Sequence, residues 1–395
     1  MKYASVTERL AGLGGAKWSI HARARAMAAE GVAVLEFTIG EPDVPCPPDL
    51  AETATRALLA GRTGYSNGRG EPGLLQALAA RYSLRRGRPF GPENVMCFPG
   101  TQTTLYAVLT GLVEAGCEVI TGDPMYATYE GLIRATGATP VPVILRPERG
   151  FRIDPADIAA AVTPRSRVLL LNTPHNPTGA VLSRADLAAI GEIARAHDLW
   201  IVSDEVYEDL VFEGIRFASP LDLPELAERT IACTSISKSH AAPGFRSGWC
   251  VGPAEFCTRL LPLSETLLFG NQPFIADMTA QAVSRPSAVA PGMAARFRAR
   301  ADMLHERLHG MSGLRVHRPD AGMFALIDVR ETGHSGEAFA ASLLEHERVA
   351  VMPGESFGAA LSGWLRFALT QPDAATAEGC IRIARHAARL LQRAA

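Results

Sequence analysis

Lysine is nearly missing from this sequence of 395 residues. Its 39 lysine and arginine residues include only Lys2, Lys17 and Lys238, which leaves 36 arginines. Wherever any cation serves, the chain uses arginine. Arginine stays protonated, whereas a lysine amine can lose its proton and attack a carbonyl. Two of the lysines lie near the N-terminus, so Lys238, alone in the body of the chain, is the candidate for amine chemistry. A charge excess is missing too. The formal net charge of −2 argues against electrostatically driven binding to nucleic acid or a membrane surface. No apolar run approaches the roughly 20 residues of a membrane span. The N-terminus, with Glu8 and Arg9 among small and polar residues, lacks a signal-peptide pattern. The cysteines are odd in number (Cys46, Cys97, Cys117, Cys233, Cys250, Cys257 and Cys380) and contain no CxxC pair. That reads as reduced thiols in a cytoplasmic protein, with neither a disulfide framework nor a zinc site. Repeats, low-complexity tracts and blocks of like charge are absent.

What is present is an alternation. Val95–Phe98 reads as a strand, followed by a helix from Thr101 to Glu114. Glu118–Thr121 is a second strand, with a helix after Met125. Arg167–Asn172 is strand-like, Ala185–Ala196 helical and Leu199–Ser203 strand again, and Thr230–Ser235 and Gly248–Val251 complete the set. Repeated strand–helix alternation predicts an α/β fold, a mainly parallel sheet between two layers of helices. After Pro286 the pattern changes to a long helix over Pro291–His309, strands at Met323–Asp328, Val349–Met352 and Trp364–Leu369, and a helix from Ala374 to Arg393. This reads as a smaller α+β domain to which the N-terminal segment adds. The expected partition is a large domain over 46–286 and a discontinuous small domain over 1–45 and 287–395.

Two short motifs compete for the chemistry. His305-Glu306-Arg307-Leu308-His309 matches HExxH, which sets two metal-binding histidines on one helical face of a zinc hydrolase. Gly310 follows directly, and no third ligand is evident, so an ordinary helix with an apolar stripe through Leu304 and Leu308 competes. Gly354-Glu355-Ser356-Phe357-Gly358 matches GxSxG, but a nucleophile elbow needs a packed helix after the serine. Only Ala359–Ser362 intervenes before Gly363, so a glycine-bracketed loop is expected there.

The longer signal surrounds Lys238. Ser235-Ile236-Ser237-Lys238, followed by Pro243-Gly244-Phe245-Arg246-Ser247-Gly248, resembles the fold-type I, class I/II aminotransferases that use pyridoxal 5'-phosphate (PLP). The resemblance spans nearly the whole chain. Gly40-Glu41-Pro42-Asp43, Tyr65 with Gly68 and Gly70, Asp123-Pro124-Met125-Tyr126, Asn176-Pro177-Thr178-Gly179, Asp204-Glu205-Val206-Tyr207 and Trp364-Leu365-Arg366-Phe367 follow the family order.

The resemblance implies a role for each position. Lys238 would form the imine with the cofactor aldehyde, which needs a primary amine, and then shuttle the proton between substrate and cofactor carbons. Asp204 would keep the pyridine nitrogen protonated. Tyr207 and Asn176 would bond the phenolic oxygen, and Tyr126 would stack on the ring. Thr101 and Gln102 at a helix start, Ser235, and the bidentate fork of Arg246 would bind the phosphate. Tyr65 would reach the phosphate in a neighbouring subunit, implying a homodimer with shared active sites. Arg366, in an apolar strand, would bind the substrate α-carboxylate with help from Gly40.

The implied reaction moves an amino group from an amino acid to a 2-oxo acid. Elimination, cyclopropane formation or oxidation can use the same lysine and aspartate, so a PLP-dependent lyase or oxidase is the alternative. A non-enzymatic PLP-binding regulator would need a DNA-binding domain, for which a pattern starting almost at residue 1 leaves no room. Lys17-Trp18-Ser19-Ile20-His21, Asn172-Thr173-Pro174-His175-Asn176, Ala196-His197-Asp198-Leu199-Trp200 and Ser237-Lys238-Ser239-His240 resemble the arginine–pyruvate transaminase branch more closely. A guanidinium donor needs a carboxylate in the pocket, and Glu41 and Asp43 are the nearby candidates. Aspartate, alanine and aromatic donors stay open.

Overall fold

The computed structural model describes residues 1–394. Twelve strands occur among the described residues. β1 (Leu35–Phe37) belongs to a smaller sheet. β2 (Val95–Phe98), β3 (Glu118–Asp123), β4 (Thr139–Ile144), β5 (Ser166–Asn172), β6 (Trp200–Asp204), β7 (Thr230–Ser235) and β8 (Gly248–Val251) form a seven-stranded sheet. β9 (Arg315–His317), β10 (Phe324–Asp328), β11 (Val349–Pro353) and β12 (Trp364–Ala368) join β1 in the second.

The large sheet runs β2-β8-β7-β6-β5-β3-β4. Only β8 is antiparallel to its neighbours; β3 to β7 are mutually parallel. Residues alternate between its two faces, as the two-residue strand period requires. Val168 and Leu170 of β5 join Leu105, Val108 and Leu109 of the helix Thr101–Leu112. Leu169 and Leu171 point the other way, into a cluster with Leu187, Ile190 and Ala194 of the helix Arg184–Ala196. Covered on both sides, these strands are continuous apolar runs.

Several details differ from the sequence reading, among them the unforeseen short strands β1 and β9. The helix after β2 stops at Leu112, two residues earlier than expected, and the one after Met125 begins only at Tyr129. β4 was unforeseen because Pro140 and Pro142 interrupt it. It lies at the sheet edge, paired only to β3, where proline's missing N–H costs no ladder bond.

The second sheet runs β1-β11-β12-β10-β9, with β1 parallel to β11 and the remaining pairs antiparallel. The helix Ala290–Leu308 covers it through Met293, Phe297, Ala301, Leu304 and Leu308. The N-terminal helix Ser19–Ala29 packs Ala24 and Met27 on Leu344 and Ala350.

Candidate active site

A cavity of about 400 Å³ opens where β5, β6 and β7 end at their carboxyl edge. Strand carboxyl ends are where open α/β sheets place ligands. Eleven of the twelve residues singled out in the sequence line it: Gly40, Thr101, Gln102, Tyr126, Asn176, Asp204, Tyr207, Ser235, Lys238, Arg246 and Arg366. Tyr65 does not; its side chain is exposed and its ring lies 5.9 Å from that of Phe269.

Asp204 ends β6 with its carboxylate directed into the cavity. Tyr129 donates its hydroxyl to Oδ2 at 2.6 Å, and the Val206 N–H donates to Oδ1 at 3.2 Å. Burial pushes the carboxyl up to about 6, and both hydrogen bonds pull it back. A partner cation in the cavity would therefore meet a desolvated, fixed acceptor. Glu205, the next residue, takes Ser219 and Arg86 as partners. Asn172 at the end of β5 donates to the Asp204 carbonyl at 3.0 Å and accepts from the Asn176 N–H at 2.8 Å. That pair holds the 176–179 turn against β6. Asn176 then donates to the Tyr207 hydroxyl at 3.5 Å.

Lys238 sits on the single helical turn Ile236–Ser239 after β7. Its Nζ donates to the Gly40 carbonyl at 2.6 Å. Burial pushes the amine down to about 8; Glu41 opposes that shift, while Arg366 and Arg246 add to it. An amine that is half neutral at mildly alkaline pH can act as nucleophile and as base. Gly40 is pressed on the Phe324 ring, 2.3 Å from where a Cβ would stand, so no side chain fits there.

At one end of the cavity the chain builds an anion cradle. The helix Thr101–Leu112 starts here, and its first N–H groups have no partner within the helix. Thr101 Oγ1 is buried without a hydrogen-bond partner. Gly100 has φ +85, and a Cβ on it would lie 2.2 Å from Arg246 Nη2. A Cβ on Gly248 would lie 2.6 Å from the Gly100 carbonyl carbon, so two glycines are needed for this approach. Arg246 holds the Pro243 and Pro99 carbonyls at 3.0 and 3.5 Å. Ser235 Oγ accepts from the Ser237 N–H at 3.3 Å. An orphaned hydroxyl, free helix amides and a guanidinium fit a phosphate ester, and Asp204, in the same cavity, fits a protonated ring nitrogen.

At the other end Arg366 lies buried on β12. Its guanidinium carbon is 3.9 Å from the Phe324 ring centre and 4.3 Å from that of Phe357. Nη1 donates to Asn176 Oδ1 at 3.1 Å, Nη2 to the Thr38 carbonyl, and Nε has no partner. Burial pushes it down to about 10, against the pull of Tyr207 and Tyr126. A cation this desolvated is primed for a carboxylate.

Sequence reasoning missed Tyr129 and Asn172 and assigned no role to Trp18 and His21, which also line the cavity. No motif marks Tyr129, which stands three residues beyond Tyr126. Asp43 is a correction. Arg296 binds both its oxygens at 2.8 and 2.7 Å and Arg300 binds one at 2.9 Å, so it is not free for a guanidinium donor. The HExxH reading fails on geometry as well. The helix ends at Leu308, His309 is extended (φ −65, ψ 121), and its Nδ1 accepts from the Val316 N–H at 3.1 Å. Among the described residues no group of three ligands is placed to hold a metal ion. Ser356 lies in a short 3-10 turn and donates to the Lys17 carbonyl at 2.8 Å.

The family model described as "Aminotransferase class I and II" matches residues 32–383. The chain belongs to that family. This aminotransferase is 44% identical over 394 residues to the arginine–pyruvate transaminase of Pseudomonas aeruginosa, with 100% of each chain covered. It is 34% identical to the aspartate/prephenate aminotransferase of Cereibacter sphaeroides, covering 91% of this chain and 93% of that one. Its fold matches that of the aspartate aminotransferase of Thermus thermophilus solved with maleate (TM-score 0.90, 31% identity, 98% of this chain and 100% of that one). The Rhizobium meliloti aspartate aminotransferase matches with TM-score 0.92 at 28% identity, over 98% and 99% of the two chains. The chain is a PLP-dependent transaminase of fold type I.

Proposed function

We propose that this transaminase takes the amino group of L-arginine, or another basic amino acid, and delivers it to a 2-oxo acid such as pyruvate. The arginine reading is supported by the name of the relative that is 44% identical over its full length. The observation that carries the site assignment is the single cavity in which the Lys238 amine, the Asp204 carboxylate, the Arg366 guanidinium and the 100–102 cradle converge.

PLP, when bound, supplies an aldehyde for an amine and a ring that withdraws electrons from the substrate Cα. Thr101, Gln102, Ser235 and Arg246 hold its phosphate. Asp204, fixed by Tyr129, holds a proton on the ring nitrogen. Tyr207 and Asn176 would hold its phenolic oxygen, and Tyr126 would stack on its ring. Arg366, with the backbone at Gly40, orients the substrate by its α-carboxylate. Lys238 Nζ takes the proton from the substrate Cα. Its lowered pKa makes that transfer practicable near pH 8. The enzyme works in the cytoplasm as a homodimer in which Tyr65 completes the neighbour's phosphate site. Its large domain is 46–286, and its small domain is 1–45 with 287–395.

The test is a two-stage assay. The purified holoenzyme is mixed with each amino acid in turn, and the loss of the visible cofactor band is followed. Pyruvate is then added and alanine is measured. Arginine should bleach the band fastest and alanine should appear. If no amino acid yields a 2-oxo acid, the reading is wrong.

A further inference from the structure

We propose that His21, fixed by Glu36 and flanked by Trp18, is the part of the cavity that selects donors with a cationic side chain. This rests on the transaminase reading above and names the residues that give its substrate preference.

Trp18 and His21 flank the start of the helix Ser19–Ala29, and both line the cavity. His21 Nδ1 lies 2.8 Å from Glu36 Oε1 and 2.9 Å from Thr38 Oγ1, and the Thr38 hydroxyl also bonds Glu36 Oε1 at 2.9 Å. Glu36 lies on β1 and Thr38 directly after it, and the hydrogen bond between their side chains holds both against the His21 ring. The same Thr38 offers its carbonyl to Arg366. That joint puts His21 at the Arg366 end of the cavity, where the substrate rather than the phosphate would lie.

The chemistry follows from which nitrogen is engaged. In the neutral imidazole, a carboxylate beside Nδ1 draws the hydrogen there and leaves a lone pair on Nε2. A guanidinium or ammonium group only donates, so it matches that acceptor. Glu36 behind the ring adds a negative charge, and Trp18, which lines the same cavity, is an aromatic neighbour suited to a cation. Neither Asp43 nor Glu41 lines the cavity. Asp43 is bound by Arg296 and Arg300, and Glu41 is exposed outside the cavity lining. A donor with an acidic side chain would meet Glu36 and find no further cation, since Lys238, Arg246 and Arg366 already have tasks.

The experiment compares kcat/KM for L-arginine and L-alanine in the holoenzyme and in Glu36→Gln, with the cofactor band recorded to show that the variant is loaded. The arginine-to-alanine ratio should fall about tenfold, the scale of one charge-assisted hydrogen bond. An unchanged ratio, with both substrates slowed alike, would mean a merely structural Glu36 and would overturn the proposal. A wild-type measurement covers a variant that fails to fold. Desamino-arginine, which lacks the α-amine and cannot react, should inhibit about tenfold more tightly than pentanoate; equal inhibition overturns the proposal. A wild-type enzyme whose kcat/KM for aspartate equals that for arginine sinks this inference and leaves the transaminase reading intact. An enzyme that uses no donor sinks the transaminase reading itself.

Discussion

Two arginines bound the cavity, and the protein holds them in opposite ways. Arg366 is 1% exposed, sandwiched between Phe324 and Phe357 on a strand whose every residue is buried. Arg246 is exposed, has a left-handed φ of 51°, and rests on the carbonyls of Pro243 and Pro99 from two separate segments. The contrast suits two anions with different residence. A phosphate that stays can be held mainly by helix amides and hydroxyls, with the arginine closing the ring of donors. A carboxylate that arrives and leaves with every turnover needs a cation already stripped of water, planar and fixed.

The harshest way to break this comparison is to remove the amine between the two arginines. Lys238→Arg keeps the charge and loses the nucleophile, so turnover should fall by roughly a thousandfold or more. Borohydride should then leave no cofactor attached to the protein by mass spectrometry. Retained turnover would end the assigned role. Arg366→Lys keeps charge but loses the planar fork and its aromatic stacking. It should lower kcat/KM for amino acids by about a hundredfold while PLP affinity stays near that of the wild type. Arg246→Ala should do the reverse, weakening PLP about tenfold and sparing kcat at saturating cofactor. Equal effects from both substitutions on the two constants would erase the distinction drawn here.

A gentler test uses pH. The Lys238 amine is lowered to about 8 from its ordinary value of 10.5, so between those values the unfolded chain binds a proton that the folded chain lacks. The cofactor-free protein should therefore gain stability as pH rises from 8 towards 10, and Lys238→Met should remove that slope in urea titrations. The smallest effect is expected from Tyr129→Phe, which removes one hydrogen bond to Asp204. It should cost about 1 kcal/mol in the barrier or in PLP affinity, read from kcat/KM and cofactor titration.

The central sheet was legible because each buried strand is a short apolar run between helical patterns, as at Thr230–Ser235 and Gly248–Val251, whose bounds match the structure. The chemistry around Lys238 was legible because Ser235, Lys238 and Arg246 lie in one contiguous stretch. What escaped depends on residues distant in sequence. Asp43 resembled a free carboxylate until Arg296 and Arg300, from a remote helix, were seen to bind it. His21 stood in a stretch that suggested kinship only, because its setting comes from Glu36 on the first strand and Thr38 just after it. β4 was hidden by prolines that an edge position tolerates.

The strand pairings also set an order of events at the ribosome. β2 is bonded only to β8, and β1 only to β11, so each waits through much of synthesis for its partner. Arg366 lies later still. The nascent chain therefore carries unpaired strand edges until β11 emerges, and its cavity lacks Arg366 until β12 follows. A domain-by-domain folder would shield those edges early. For this topology, the arginine that would take the substrate carboxylate is made more than a hundred residues after Arg246, the last of the residues that would hold PLP.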